Sequence, residues 1–341
     1  MLTQEGRPTI PTIKDVASEA QVSIATVSRV LNGNRRVSPD LRTRVLAAMD
    51  RLGYQPNAIA QGLRRNATRS VGVLIPRIHE PFFSTLAFAI ERTLFASDYR
   101  GLLCSTEEQP GKERAYVDML LTQQVDAIIY FPSITGSQPN LQRIVEREIP
   151  VVLIERSFAG FDVSRVLISN FQGGYDGAQH LIGLGHTHIS VICANLESMP
   201  VERLSGVQQA LSEARIDADV RIMNRGSDFE TGYEAALEML QRPARPTAIF
   251  ALADSIAVGV LHAAAYLDLR VPDDLSVVGF DNISLAAYVL PPLTTVAQPI
   301  YAIGEAAVRV LLRQLQNPDA APETVTLNTE LVVRQSTAPC R

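Results

Sequence analysis

The 341-residue sequence has no apolar run approaching the roughly 18 residues that a helical membrane span needs. Its first residues, MLTQEGRPTIPTIKDV, carry no apolar stretch of the secretory type, so export is not expected. Cysteine is sparse: Cys104, Cys193 and Cys340 form an odd, widely spaced set. Such a set suits neither a disulfide framework nor a metal site, and a reducing cytoplasm is the expected compartment. His186 and His188 lie one residue apart before an apolar run, but two imidazoles without a third ligand do not make a metal centre. Enzyme signatures are missing too. No G-x-G-x-x-G follows the first strand, and neither G-x-x-x-x-G-K-[ST] nor G-x-S-x-G occurs. No cofactor, metal or catalytic residue is therefore expected.

What is present is a soluble globular balance, 46% hydrophobic and 20% charged, in a chain long enough for two or three domains. The charge is uneven. Residues 1–70 hold 11 Lys/Arg against 5 Asp/Glu, a net of +6, and the remainder is −11, within an overall −5. A basic head on an acidic body is the electrostatic pattern of phosphate binding, although ordinary surface charge could also give it.

The head reads as short helices joined by tight turns. Thr12 and Asp15 fit a capping box. After "AQVS", Ser23 caps a second helix with Val27, Val30 and Leu31 inward. Ser38-Pro39 starts a third, with Leu41, Val45, Leu46, Met49 and Leu52 on its apolar face and Gly53 as its stop. This is a helix-turn-helix pattern. The outward positions of the second helix, Ile24, Ala25, Thr26, Ser28 and Arg29, are small or hydroxylated apart from Ile24 and one arginine. Small side chains let a helix enter a groove, hydroxyls bond phosphates, and Arg bonds guanine bidentately. Beyond Pro56, the segment Ala58–Leu63 is expected to form a very short helix that is marginal alone. Leu63 beside Arg64 and Arg65 suits a minor-groove wedge, and equally a flexible tether.

From residue 70, apolar strands alternate with amphipathic helices, beginning "SVGVLIP" then "PFFSTLAFAIERTLFASDY", and the series restarts near "GGYDGAQHLIGLGH". The pattern predicts two α/β lobes of parallel sheet with helices on both faces, and a ligand crevice at the strand C-terminal ends. Asp254 and Asp281 each follow an apolar strand there.

The stretches "TIKDVASEAQVSIATVSRVLNG", "VSPDLRTRVLAAMDRLGYQPNAIAQGLRR", "VGVLIPRIHEPFF" and "VPDDLSVVGFDNISLAAYVLPPLTTVAQPI" occur in that order, followed by "TELVVRQST". Together they resemble the LacI/GalR family of bacterial transcriptional regulators over about residues 12–338. The resemblance implies a helix-turn-helix head over 1–55, a hinge helix and linker over 56–69, and a periplasmic-binding-protein-like body over 70–341. It implies three crossings between lobes. Lobe one is then about 70–168 and 299–326, and lobe two about 171–296 and 328–338. Carried over by position, Ile24, Ala25 and Arg29 read bases, while Ser23, Thr26, Ser28 and Asn32 hold phosphates. Asn57, Ala60, Leu63 and Arg64 lie on the hinge at the minor groove.

The implied partners are double-stranded operator DNA, a second copy of the chain and a small effector, with no membrane. The tail after the last strand, "STAPCR", is short for an oligomerising helix, which points to a dimer. For the effector the resemblance implies Phe82, Phe83, Arg203 and Asp281, with Ser133, Glu155 and Ser227 as further positions and Asp254 at the crevice edge. Three positions depart from the common pattern: Arg77 replaces a short polar or acidic residue, Ser169 a frequent Asp, and Ala253 a frequent Asn. The expected effector is a sugar, sugar acid or sugar phosphate, and these changes predict a more cationic crevice that favours one with a carboxylate or phosphate, unless Arg77 points to solvent or pairs with Glu80. The expected function is a repressor of carbohydrate or related catabolic genes. The alternative is a cytoplasmic or exported solute-binding protein without regulatory DNA binding. An enzyme is the least favoured class.

Overall fold

The computed structural model describes residues 11–31, 37–54, 68–132, 136–194, 201–217, 219–222 and 228–340. The chain divides into two units, Met1–Thr68 and Arg69–Arg341.

In the first unit, α1 (Ile13–Glu19) starts where the Asp15 carboxylate accepts the Thr12 N–H and hydroxyl, each at 2.7 Å. The turn after it places Gln21 in the left-handed region, with φ 52. Helix α2 (Ile24–Leu31) opens at Ser23, whose Oγ accepts the Thr26 N–H at 3.1 Å. Helix α3 (Pro39–Leu52) is capped by Ser38 and ended by Gly53 at φ 62. Val16, Ala17, Ala20, Val27, Val30, Val45 and Ala48 form the small core. Arg44 ties α3 to the turn by donating to the Ala20 carbonyl at 2.6 Å. Leu46, expected on the apolar face, is 51% exposed. Buried Val45 and Ala48 and partly buried Met49 and Leu52 follow helical spacing, which leaves residue 46 off the stripe. The expected hinge helix lies outside the described residues.

The second unit holds two six-stranded sheets. The first contains β1 (Ser70–Ile75), β2 (Arg100–Ser105), β3 (Ala127–Tyr130), β4 (Val151–Ile154), β5 (Ser164–Ile168) and β11 (Thr324–Leu327). Their order is β11-β5-β4-β3-β1-β2, all parallel. The second contains β6 (Ile189–Cys193), β7 (Asp219–Ile222), β8 (Ala248–Ala251), β9 (Ser276–Asp281), β10 (Thr294–Ala297) and β12 (Glu330–Val332). Their order is β12-β10-β9-β8-β6-β7, and only β12 runs antiparallel. The central strands β3, β4, β6, β8 and β9 are buried along their whole length, as parallel strands covered on both faces are.

Helices α4 (Pro81–Ala96) and α11 (Ile300–Gln316) cover one face of the first sheet, and α5 (Pro110–Thr122) and α6 (Ser137–Glu146) the other. In the second lobe, α7 (Asn170–Gly183) and α8 (Val201–Glu213) face α9 (Phe229–Leu240) and α10 (Asp254–Tyr266) across the sheet. Strand order reverses at β1 and at β6, so each lobe has a topological switch point where a crevice opens.

The chain passes between lobes between β5 and α7, between β10 and α11, and between β11 and β12. The first and third passages are stitched together. Ser169 Oγ accepts the Thr329 N–H at 2.9 Å, and the Ser169 N–H donates to the Leu327 carbonyl at 3.0 Å. Among the described residues no helix is long and apolar enough to cross a membrane.

Candidate functional site

Helix α2 has one buried and one open side. Val27 and Val30 are buried, Ser23, Ile24, Ala25 and Arg29 are exposed, and Thr26 and Ser28 are half-buried. Ile24 is 44% exposed, a large aliphatic side chain left uncovered by its own domain. Ser23 and Thr26 share a hydroxyl–hydroxyl bond of 2.9 Å at the first turn. The open side thus combines the helix N-terminus, hydroxyls, an alanine and an arginine, a set that can enter a groove and bond phosphates. Asn32, Asn57, Ala60, Leu63 and Arg64 lie outside the described residues.

In the body, two glycines set the geometry. A Cβ on Gly174 would sit 2.0 Å from the Arg203 carbonyl oxygen, and one on Gly206 would sit 1.9 Å from that of Phe171. Only glycine permits this contact between α7 and α8, and the contact brings Arg203 to the first passage. Arg203, 4% exposed, lies 3.7 Å over the Phe280 ring. It donates to Asn170 Oδ1 at 3.1 Å, to the Leu252 carbonyl at 2.7 Å and to Asp281 Oδ1 at 3.3 Å. Gln298 donates to the same Asp281 oxygen at 2.6 Å. Asp281 sits at φ 111, a strained conformation held by this network. Burial pushes its carboxyl up to about 7, against the opposing pull of Arg203 and Gln298.

Asn170 also borders a cavity of about 420 Å³ lined by residues of both lobes, including Glu155, Arg156, Ser169, Phe171 and Glu202. Glu155 has φ 58, and its buried Oε1 has no hydrogen-bond partner among the described residues. Burial raises its carboxyl above the usual range, opposed by the Arg203 and Arg156 charges. The structure therefore brings Arg203, Asp281 and Glu155 to one place. Asn170, Gln298 and Arg156 join them, and sequence reasoning missed all three. Their signal was position: two stand at lobe passages, and Arg156 follows a buried strand.

Other expectations are corrected. Of the two readings of Arg77, the pairing with Glu80 is the one the structure shows, at 2.6 Å, with Glu108 as a second partner, so Arg77 adds no free positive charge to the crevice. Two carboxylates against one guanidinium leave that corner without excess cation. Asp254 is 0% exposed and is not at the crevice edge. Its oxygens accept the Thr295 hydroxyl at 2.5 Å and the Ile283 N–H at 2.8 Å, so it locks β10 to the end of β9. Phe82 and Phe83 are 7% and 8% exposed; Phe83 packs edge-on to Phe82 and to Phe131, each at 5.1 Å. They are core of the first lobe in this conformation. Ser169 spends its hydroxyl on the passage stitch. His186 bonds Thr247 and Ser276, each at 3.0 Å, a structural use of both ring nitrogens. Ser133 and Ser227 fall outside the described residues.

A helix-turn-helix head and a two-lobed α/β body with a buried polar cluster between its lobes define a DNA-binding, ligand-sensing class of protein. Comparison with known proteins narrows this. Residues 12–57 match the family described as "Bacterial regulatory proteins, lacI family", and residues 178–337 match the "Periplasmic binding protein-like domain". The HTH-type transcriptional regulator DegA of Bacillus subtilis is 39% identical over 96% of this chain and 98% of its own. The crystal structure of the lac repressor dimer bound to operator and the anti-inducer ONPF superposes with a TM-score of 0.86 at 27% identity, covering 96% and 99% of the two chains. The transcriptional regulator CelR in complex with cellobiose gives a TM-score of 0.71 at 28% identity, with the same coverage. The chain belongs to the LacI family. It is a DNA-binding transcriptional regulator, not an enzyme.

Proposed function

We propose that the chain is an effector-controlled repressor in the bacterial cytoplasm that binds a palindromic operator as a dimer. Ile24, Ala25 and Arg29 read bases, and Ser23, Thr26, Ser28 and Asn32 hold phosphates. Asn57, Ala60, Leu63 and Arg64 act at the minor groove. The effector is a small carbohydrate or carbohydrate derivative bound at Arg203, Asp281 and Glu155.

One observation carries the effector reading: the buried cluster of Arg203, Asn170, Asp281 and Gln298 lies beside the lobe passages. A ligand bonded there acts on the hinges directly, because Asn170 begins α7 and Gln298 precedes α11. A ligand that binds one lobe angle better than the other shifts the populations of the two, and needs only a modest differential affinity to change operator binding. The relatives named lac repressor and CelR, with ligands of the saccharide type, support this class.

The test is an operator titration by fluorescence anisotropy, with and without each member of a sugar panel. A supporting result is salt-dependent, sequence-selective duplex binding that a bound sugar or sugar derivative changes at least about tenfold, or 1.4 kcal/mol. Binding equally to any duplex, or a body whose ligands leave operator affinity unchanged, refutes the proposal.

A further inference from the structure

The body begins at Arg69, and this residue is left-handed, with φ 55. Other non-glycine residues share a positive φ, but Asp98, Gln124, Glu148 and Asp268 each stand two positions beyond a helix end, where a left-handed residue is ordinary capping geometry. Arg69 instead directly precedes strand β1. A strained backbone persists where its surroundings over-determine it, and three contacts do so here. The Arg69 N–H donates to Asp126 Oδ2 at 2.9 Å. Its carbonyl accepts the Arg100 N–H at 2.9 Å. Its guanidinium lies 5.0 Å from the centre of the Tyr99 ring.

The partners come from the strands on either side of β1. Asp126 precedes β3, and its own N–H donates to the Ser70 carbonyl at 2.9 Å. Tyr99 and Arg100 stand at the start of β2, and Tyr99 belongs to the core of the first lobe. Arg69 is itself exposed, yet it is fastened to both neighbours of its strand. The three strands are parallel, so this clamp lies at their N-terminal ends, opposite the ends that face the crevice. It is therefore independent of the effector residues.

We propose that Arg69 is a positioning residue for operator binding: held by Asp126 and Tyr99, it fixes the direction in which the chain leaves the body toward the head. This rests on the reading of the chain as an operator-binding dimer. Returning φ from 55 to an ordinary value between roughly −60 and −160 turns the preceding chain by more than about 100° around the N–Cα bond. Two heads on one dimer bind two half-sites bivalently, and the reach and stiffness of what joins them set the effective concentration of the second head. A fixed exit direction concentrates that head at one half-site separation. A loose one spreads it over several.

The experiment selects a duplex from a randomised palindromic library with the wild-type full chain, then varies the central spacer of that duplex by one or two base pairs. Wild type, Arg69→Gly, Arg69→Asn, Asp126→Ala and Asp126→Asn are titrated against each spacing and against a random duplex, and each is melted. Glycine reaches φ 55 freely but holds no single direction, whereas asparagine tolerates the left-handed region. Asparagine at 126 keeps an acceptor oxygen for the Arg69 N–H. Wild type is expected to prefer one spacing by at least about tenfold. Arg69→Gly and Asp126→Ala should lose about tenfold there and bind the neighbouring spacings within about threefold of it. Asp126→Asn should keep the wild-type profile, and Arg69→Asn should fall between glycine and wild type. Random-duplex affinity and melting temperature should stay close to wild type, because Arg69 is exposed.

A wild-type spacing profile in both Arg69→Gly and Asp126→Ala overturns the proposal. So does a loss shared equally by every spacing and matched by a fall in melting temperature, which makes the clamp a structural feature of the lobe. An Asp126→Asn profile as broad as that of Asp126→Ala also overturns it, since the acceptor oxygen then does not set the exit. Arg69→Gly removes no buried group and decides the matter if Asp126→Ala folds poorly. A wild type selective for sequence but indifferent to spacing overturns this proposal and leaves the operator-binding reading intact. A wild type that selects no duplex overturns both.

Discussion

The Arg203 guanidinium lies 3.7 Å from the centre of the Phe280 ring while reaching Asp281, the next residue, at 3.3 Å. One buried cation is therefore held by an aromatic face and a carboxylate at the end of a single strand. Replacing it with methionine keeps much of the apolar contact and removes every polar one. Arg203→Met is expected to weaken effector binding by about 10- to 100-fold, the cost of losing a charged hydrogen-bond partner. Isothermal titration with an identified effector measures it; affinity within twofold of wild type removes Arg203 from the site.

Asp281 makes stability depend on pH in a stated direction. Its folded carboxyl lies up at about 7. In the unfolded chain the value is about 3.9. Between the two, the folded state holds a proton that the unfolded state has released, so this group's contribution to stability falls as pH rises from about 4 through 7. In Asp281→Asn the contribution disappears. Melting temperatures between pH 5 and pH 8 should decline more steeply in wild type than in the variant, and parallel curves would contradict the assignment.

Asp254 tests the correction made to its expected role. Asp254→Ala leaves the Ile283 N–H and the Thr295 hydroxyl unpaired in a fully buried place. The expected cost is on the order of 2–4 kcal/mol of stability, from two stranded polar groups. Effector affinity in the folded protein should change less than about threefold, under 1 kcal/mol. Lost affinity at an unchanged melting temperature would return Asp254 to the effector site.

Gly206 tests the helix contact that delivers Arg203. A methyl group there meets the Phe171 backbone, which cannot rotate away, so α7 and α8 must separate. Gly206→Ala is expected to cost about 1–3 kcal/mol as an overpacked contact, and to lower effector affinity by shifting Arg203 from Asn170. A variant as stable as wild type would show that the helices part freely.

On the head, Arg29→Ala should weaken operator binding by about 1–3 kcal/mol if it bonds a base bidentately, and should relax specificity at one position in each half-site. The melting of the body should be unaffected, because its core is formed without the head. A uniform loss across all duplexes, with a shallower salt slope, would assign Arg29 to phosphate instead.

The architecture could be read from the chain because its signals are local and periodic. Capping residues Thr12, Ser23 and Ser38 mark helix starts, and Gly53 marks a stop. Continuous apolar strands such as "SVGVLI" and "AIFA" mark parallel sheets covered on both faces. The motifs that carry the family resemblance are contiguous in sequence, so no fold was needed to see them. The cleft is different, because partners there come from distant segments. Nothing next to Arg77 in sequence announces Glu108, 31 residues away, as its second counter-ion. Nothing near Asp254 announces Thr295, and nothing near Arg203 announces Gln298 two bonds further along the network. Whether a charged side chain is paired or open depends on which strand ends meet when two sheets fold. Tertiary packing therefore added Glu108 to the local Arg77–Glu80 pair and made Asp254 an internal lock, because charge compensation is a property of neighbours in space.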